Sequence, residues 1–124
     1  MKITAFNPVI LTREAETVVD LFEALGFERQ HLKTGITDKD ISTVSMEDAA
    51  GSHVDVTSVT AFPTDMTVIR MNVDDFDEAY ALLEAHGFRN AQGDYVTDTG
   101  SSIATLMISP SGFAINLVKH IKQA

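Results

Sequence analysis

The sequence predicts an α+β fold built from two tandem βαβββ units, and a repeated stretch is the main observation behind that prediction. The first copy covers residues 12–30 and reads TREAETVVDLFEALGFERQ, while the second covers residues 73–91 and reads VDDFDEAYALLEAHGFRNA. Aligned without a gap, Gly26 and Phe27 fall on Gly87 and Phe88, an offset of 87 − 26 = 61 residues. Because two periods of 61 account for nearly all of the 124 residues, each copy marks one supersecondary unit.

The first unit, residues 1–60, is predicted to contain one strand, one helix and three further strands. The predicted elements are a strand over Lys2–Leu11, a helix over Arg13–Leu25, and strands over Phe27–Thr34, Ile41–Met46 and His53–Val59. The helix is indicated by apolar residues at helical spacing, which are Ala15, Val18, Val19, Phe22 and Leu25. We expect Thr12 to cap this helix and Gly26 to end it in the left-handed conformation, with a turn at Gly35–Asp40.

The second unit, residues 66–121, repeats this order after a connector at Ala61–Asp65. The predicted elements are a strand over Met66–Val73, a helix from a cap at Asp74 or Asp75 to His86, and strands near Ala91–Val96, Ser102–Ile108 and Phe113–His120. Gly87 is expected to end the helix as Gly26 does. Four carboxylates lie near the start of this helix, and we expect them to complement the helix dipole rather than to bind a metal; they are Asp74, Asp75, Asp77 and Glu78.

Composition restricts the class of partner. Eighteen Asp and Glu against nine Lys and Arg give a net charge of −9, which argues against nucleic acid because its affinity depends on cationic contacts. The acidity serves solubility or attracts a cationic ligand. There is no cysteine, so disulfides and thiolate chemistry are excluded. The apolar run at Ala5–Leu11 is too short for a signal or a membrane span, and we expect a cytoplasmic protein without a membrane partner.

The repeat and its motifs together resemble the vicinal oxygen chelate superfamily, the fold of glyoxalases, bleomycin-resistance proteins and extradiol dioxygenases. The resemblance covers the whole chain and includes the Leu-Gly-Phe and His-Gly-Phe helix ends, residues 73–76 before the second helix and residues 109–113 before the last strand. It implies a single domain over residues 1–124 with a curved mixed sheet that forms a cup and with helices on the convex side. It also implies a homodimer that binds a small-molecule ligand in a concave crevice.

The resemblance further implies a divalent metal, held in catalytic members by the first and last strand of each unit. Those positions map to Asn7, Asp55, Val68 and Asn116. Valine has no lone pair, and one carboxylate with two amides is a poor donor set for zinc, iron or nickel. We therefore predict no cofactor, and an atypical divalent-metal site is the disfavoured alternative.

Strand alternation extends the predicted site. If Asp55 faces the cup, His53 and Thr57 face it too, while Val54 and Val56 face the helix. In the second unit, Arg70 and Asn72 share a face with Val68, and the apolar residues between them face the helix; those residues are Ile69, Met71 and Val73. The predicted ligand-binding residues are Asn7, His53, Asp55, Val68, Arg70 and Asn116.

Two interpretations of these residues stay open at the level of sequence. In the first, Asp55 and Arg70 recognise charged groups of a ligand, and His53 is a candidate general base, or a metal ligand if the strand register shifts by one. In the second, Asp55 and Arg70 form an ion pair with each other. The other histidines, His31, His86 and His120, are expected to be surface or capping residues.

The leading functional hypothesis is a metal-free protein of the glyoxalase and bleomycin-resistance type that binds a small organic molecule without catalysis. The ligand would be an antibiotic or a cationic or aromatic metabolite. The alternative is an enzyme of the lyase, isomerase or dioxygenase type, with an atypical metal site or with His53 as general base. A third class, an interaction module without a small ligand, is also consistent with the fold.

Overall fold

The computed structural model describes residues 1–34, 42–60 and 64–120, and in this part of the chain it contains two helices and nine strands. In chain order they are β1 (Ile3–Thr12), α1 (Ala15–Ala24), β2 (Glu28–Thr34), β3 (Ser42–Glu47), β4 (His53–Ser58), β5 (Met66–Val73), α2 (Phe76–Ala85), β6 (Arg89–Asn90), β7 (Thr97–Asp98), β8 (Ser102–Ile108) and β9 (Ala114–His120). The predicted α+β class and the repeated strand–helix–strand order are confirmed. Within the described residues, neither helix has the length and apolar character to cross a membrane.

The chain forms two compact units whose boundary differs from the boundary of the sequence repeat. Residues 7–67 form one unit, called here the N-terminal unit, and residues 1–6 join residues 68–124 in the other, the C-terminal unit. Two hydrogen bonds tie Lys2 to Asp74: Asp74 N–H donates to the Lys2 carbonyl at 3.1 Å, and Lys2 N–H donates to Asp74 Oδ1 at 2.6 Å. The single domain expected over residues 1–124 stays a prediction.

In the N-terminal unit, one helix packs on a sheet with the strand order β2-β3-β4-β1. The β1–β4 pair is parallel and the other two pairs are antiparallel. Val19 of α1 lies in an apolar cluster with Met46 of β3 and with Val54 and Val56 of β4. The predicted direction of Val54 and Val56 toward the helix is confirmed. Burying a side chain such as Val19 contributes about 1.5–3 kcal/mol.

The C-terminal unit repeats this packing with the strand order β5-β9-β8-β6, and β7 pairs with β8. The β5–β9 pair is parallel. Phe76 and Ala79 of α2 pack with Met71, Met107 and Leu117 in one apolar cluster. Ile69 and Val73 belong to the same cluster, so the predicted helix side of β5 is confirmed.

The strand predicted near Ala91–Val96 is wrong. β6 ends at Asn90, turns occupy residues 91–94, and β7 covers only Thr97–Asp98. The Asn90 side chain accounts for the turn, because its Oδ1 accepts a hydrogen bond from Gln92 N–H at 2.9 Å and its Nδ2 donates to the Tyr95 carbonyl at 3.0 Å. An asparagine that bonds to nearby backbone in this way offers the chain an alternative to strand pairing.

The cap predicted at Thr12 is also wrong. Helix α1 begins at Ala15, and Glu14 is at the N-cap position without a side-chain capping hydrogen bond. Thr12 ends β1 instead, where its hydroxyl accepts a hydrogen bond from Glu14 N–H at 2.9 Å. The predicted turn at Gly35–Asp40 and most of the connector at Ala61–Asp65 lie outside the described residues.

Both helices end at glycines in the left-handed region, as predicted, and the two glycines differ in their surroundings. Gly26 has φ +105° and Gly87 has φ +92°. A Cβ at Gly26 would meet no atom within 4 Å, whereas a Cβ at Gly87 would lie 2.9 Å from Cγ of Pro110. Only the second glycine is therefore required by both backbone conformation and close packing.

We expect Gly26→Ala to lower the free energy of unfolding by about 1–2 kcal/mol, the usual cost of a left-handed alanine. Gly87→Ala should cost about 1 kcal/mol more, because the added methyl group is forced against Pro110. Urea denaturation of both variants measures this difference. Pro110→Ala in the Gly87→Ala background should recover the excess, and equal losses at the two glycines would contradict the packing argument.

Candidate functional site

Each unit has a sheet face that its own helix does not cover, and on both faces polar side chains are buried. In the N-terminal unit this face, called here the N-terminal polar face, is defined by Asn7, Thr43, Ser45, His53, Asp55 and Thr57. Asp55 of β4 is paired with Ser45 of β3 and with Val9 of β1. Val54 and Val56 pack in the apolar cluster beneath helix α1. Because side chains alternate along a strand, the side chain of Asp55 points to the opposite face of the sheet.

Asp55 is 3% exposed and is the only buried carboxylate among the residues that the structure describes. Burying a carboxylate costs free energy unless charged or hydrogen-bonding groups compensate it. On the same strand, the Thr57 hydroxyl lies 2.9 Å from the Thr43 hydroxyl across the sheet. Asn7 is 4% exposed, and its Nδ2 donates to the Pro8 carbonyl at 3.0 Å. This face therefore holds an acidic group in a fixed polar setting.

His53 lies at the first position of β4 and is accessible from solvent. Its Nε2 lies 3.7 Å from Oε2 of Glu47, and the two side chains are 50% and 36% exposed. Glu47 is the cross-strand partner of His53, so the carboxylate would pair with the imidazole when the imidazole is protonated. The structure thus brings His53 and Asp55 to one strand, with Asp55 buried and His53 open.

In the C-terminal unit the corresponding face, called here the C-terminal polar face, is defined by Val68, Arg70, Asn72 and Asn116. Arg70 of β5 is directly paired with Asn116 of β9, and both side chains are half-buried. Val68 and Asn72 are 3% and 6% exposed. The neighbouring β5 residues that point to the helix are apolar, so the polar side chains are confined to one face.

Asn72 was predicted to share the face of Arg70, but it was not in the predicted ligand-binding set. Its Oδ1 is buried and has no hydrogen-bond partner among the residues that the structure describes. Alternation along β5 was the sequence signal that placed it there. The missing partner could not be read from sequence, because it depends on what surrounds the side chain after folding.

Comparison with solved structures identifies the fold. The chain is similar to methylmalonyl-CoA epimerase from Mycobacterium tuberculosis, with a TM-score of 0.72 and 14% identity over 97% of this chain and 90% of that one. A glyoxalase/bleomycin resistance protein/dioxygenase superfamily member from Vibrio splendidus gives a TM-score of 0.63 and 14% identity over 95% and 99% of the two chains. The chain has the vicinal oxygen chelate fold.

A glyoxalase I mutant from Zea mays is also similar, with a TM-score of 0.72 and 11% identity over 98% of this chain and 45% of that one. No protein-family model matches the sequence, and no curated protein matches it either. At these identities the likeness establishes the fold alone, so the chemistry of this protein has to be argued from its own residues.

The resemblance to the vicinal oxygen chelate superfamily maps a divalent-metal site onto Asn7, Asp55, Val68 and Asn116, and the chemistry of these side chains does not fit a metal. Val68 offers no lone pair and is a buried apolar side chain, 3% exposed. Asn7 and Asn116 offer neutral amide oxygens, which leaves Asp55 as the single anionic donor of the four. Among the described residues, no group of three or more His, Asp or Glu side chains is placed to hold a metal ion.

Two of the four acidic residues at the start of α2 accept hydrogen bonds from backbone N–H groups. The cap was expected at Asp74 or Asp75, and the structure places Asp75 at the N-cap. The Oδ1 of Asp75 accepts a hydrogen bond from Glu78 N–H at 3.0 Å. Asp74 accepts from the backbone N–H of Lys2, and this hydrogen bond is the main cause that lowers the pKa of Asp74 from its usual 3.8. Asp75 is therefore explained by capping, and Asp74 by the attachment of residues 1–6.

The lowered pKa gives a testable pH dependence. Because the folded-state pKa of Asp74 lies below its unfolded value, its contribution to stability is present above pH 3.8 and is lost as pH falls through the folded-state pKa. In urea denaturation, wild type and Asp74→Asn should differ in unfolding free energy above pH 3.8. This difference should shrink as the pH falls below 3.8. Asp77→Asn removes the same charge three residues away and serves as the control. A pH-independent difference for Asp74→Asn would contradict the assignment.

Proposed function

We propose that this protein binds a small organic molecule without a metal ion, at a polar sheet face that a helix leaves uncovered. The observation that carries the proposal is the burial of Asp55, the only buried carboxylate in the described part of the chain, on the face that α1 leaves uncovered. An apolar side chain would be buried at that place at lower cost, which makes the acid a candidate for ligand recognition.

The residues on each face favour particular groups of a ligand. Asp55 would accept hydrogen bonds from an ammonium group or another donor, and the net charge of −9 would raise the local concentration of cations. On the C-terminal polar face, Arg70 would bind an anionic group, with the Asn116 amide beside it. The ligand classes that we favour are cationic or aromatic metabolites and antibiotics.

The absence of metal from this proposal rests on donor chemistry. The buried Val68 takes the place of a metal ligand of the superfamily, and the donors that remain are one carboxylate and two amides. Side chains of the protein would therefore hold a ligand through hydrogen bonds and ion pairs. This mode of binding suits a protein that sequesters its ligand, and it does not suit metal-dependent catalysis.

Catalysis is the second candidate, favoured by the accessible imidazole of His53 beside Glu47 and by the similarity to an epimerase and to glyoxalase I. In this alternative His53 acts as general base, and the reaction is a lyase or isomerase step. Incubation with methylmalonyl-CoA, followed by chiral analysis of the product, tests it directly. Turnover that is lost in His53→Gln would replace the binding proposal with this one.

Thermal melting with and without added compounds separates these functions. A compound present at 100 times its dissociation constant adds about 2.7 kcal/mol to the unfolding free energy. We expect no stabilisation by manganese, nickel or zinc salts, and stabilisation by one or more members of a library of cationic and aromatic metabolites and antibiotics. A clear metal-dependent rise in Tm would overturn the metal-free proposal.

A matched pair of variants assigns any stabilising compound to the N-terminal polar face. Asp55→Asn should weaken the binding of a cationic compound about tenfold or more, because a charge-assisted hydrogen bond is lost. Asp20→Asn removes the same charge from helix α1 of the same unit and should leave binding nearly unchanged. Equal effects of the two substitutions would show that only the overall charge matters.

The assembly state and the compartment are part of the proposal. The vicinal oxygen chelate fold is the ground for expecting a homodimer, and the lack of cysteine is the ground for expecting a cytoplasmic protein. Light scattering of the purified protein should give about twice the mass of one chain, 13.5 kDa. A mass of one chain over the whole concentration range would contradict the dimer.

A further inference from the structure

The C-terminal unit contains two buried asparagines with opposite hydrogen-bonding states. Asn72 on β5 is 6% exposed and Asn90 on β6 is 8% exposed. The amide of Asn90 makes three hydrogen bonds: its Oδ1 accepts from Gln92 N–H and from the Thr105 hydroxyl, and its Nδ2 donates to the Tyr95 carbonyl. Within the described part of the chain, the Oδ1 of Asn72 has no hydrogen-bond partner. Buried polar atoms are paired in the great majority of cases, so this one requires an explanation.

The position of Asn72 provides that explanation. Met71 and Val73, its neighbours along β5, pack in the apolar cluster beneath helix α2. The Asn72 side chain therefore lies on the C-terminal polar face with Arg70. Arg70 and Asn72 are two residues apart, about 7 Å along the strand. Arg70 and its partner Asn116 are half-buried, which leaves this face accessible next to the buried acceptor.

We infer that Asn72 is a ligand-binding residue whose Oδ1 accepts a hydrogen bond from an N–H or O–H group of the bound molecule. The same molecule carries an anionic group for Arg70. The ligand class is therefore a carboxylate with a hydrogen-bond donor a few bonds away, such as an N-acyl amino acid or a hydroxy acid. This inference rests on the proposed function and specifies the chemistry that the C-terminal polar face recognises.

The physical basis of this inference is that a buried acceptor without a partner costs more free energy than a satisfied hydrogen bond contributes. An acceptor that is buried without a partner costs stability, and replacing it by an apolar group of similar shape is neutral or stabilising. When a ligand donor meets the acceptor, the cost is removed, and a molecule that lacks the donor is rejected. An unsatisfied acceptor at this place thus destabilises the free protein and gives selectivity to the complex.

The first part of the test needs no ligand. We expect Asn72→Leu to unfold in urea at the same or a higher concentration than wild type, because no hydrogen bond is lost. Asn90→Leu, the matched control, should unfold at a clearly lower concentration, because it removes three hydrogen bonds and leaves Gln92 N–H without its acceptor. Asn72→Val, smaller and favourable in a strand, replaces the leucine variant if leucine does not fit.

The second part uses two pairs of probes that differ only in the donor. They are N-acetylphenylalanine with its N-methyl derivative, and 3-phenyllactate with 3-phenylpropanoate. By titration calorimetry, wild type should bind the donor-bearing member of each pair about five- to tenfold more tightly, the effect of one hydrogen bond. Asn72→Leu should lose this preference and bind both members alike.

Each outcome has a defined meaning. If Asn72→Leu and Asn72→Val are destabilised as strongly as Asn90→Leu, the Asn72 amide has a structural partner and the inference is overturned. If wild type binds both members of each pair equally, the C-terminal polar face binds carboxylates but Asn72 accepts no hydrogen bond from the ligand. The proposed function then stands without this inference. If no probe binds and no library compound raises Tm, both fail.

Discussion

The structure depends on one constraint, which is that each strand beneath a helix presents two different faces. Along β5, Ile69, Met71 and Val73 belong to the apolar cluster that packs against α2, and the residues between them carry the polar groups. Along β4, Val54 and Val56 do the same beneath α1. A period of two places a core on one side of a strand and a polar surface on the other.

The same constraint limits how a site in this fold can change. A shift of one residue in register would exchange the whole apolar set with the polar set, so the core holds the polar faces in place. Within that register the polar positions are free to vary without loss of the core. Val68 illustrates this, since it is a buried apolar side chain on the same face of β5 as Arg70 and Asn72.

Polar residues are buried in this protein for two different reasons. Asn90 and Thr105 hold a turn and bond to each other and to backbone, so they are part of the core's own hydrogen-bonding network. Asp55 and Asn72 lie on the faces that the helices leave uncovered. Burial alone does not distinguish these two groups, but the side of the sheet on which they lie does, and our proposal of a ligand site depends on this difference.

The sequence by itself determined the fold class, most of the helices and strands, the two glycine caps and the inward or outward direction of the strand residues, because periodicity and glycine conformation act locally. It misplaced the segment around Ala91–Val96, since a side chain at Asn90 bonds forward to residues 92 and 95. It placed Asn72 on the correct face but could not show its unpaired Oδ1. Burial, hydrogen-bond partners and the grouping of residues 1–6 with residues 68–124 depend on contacts between distant parts of the chain, and only the tertiary structure decides those.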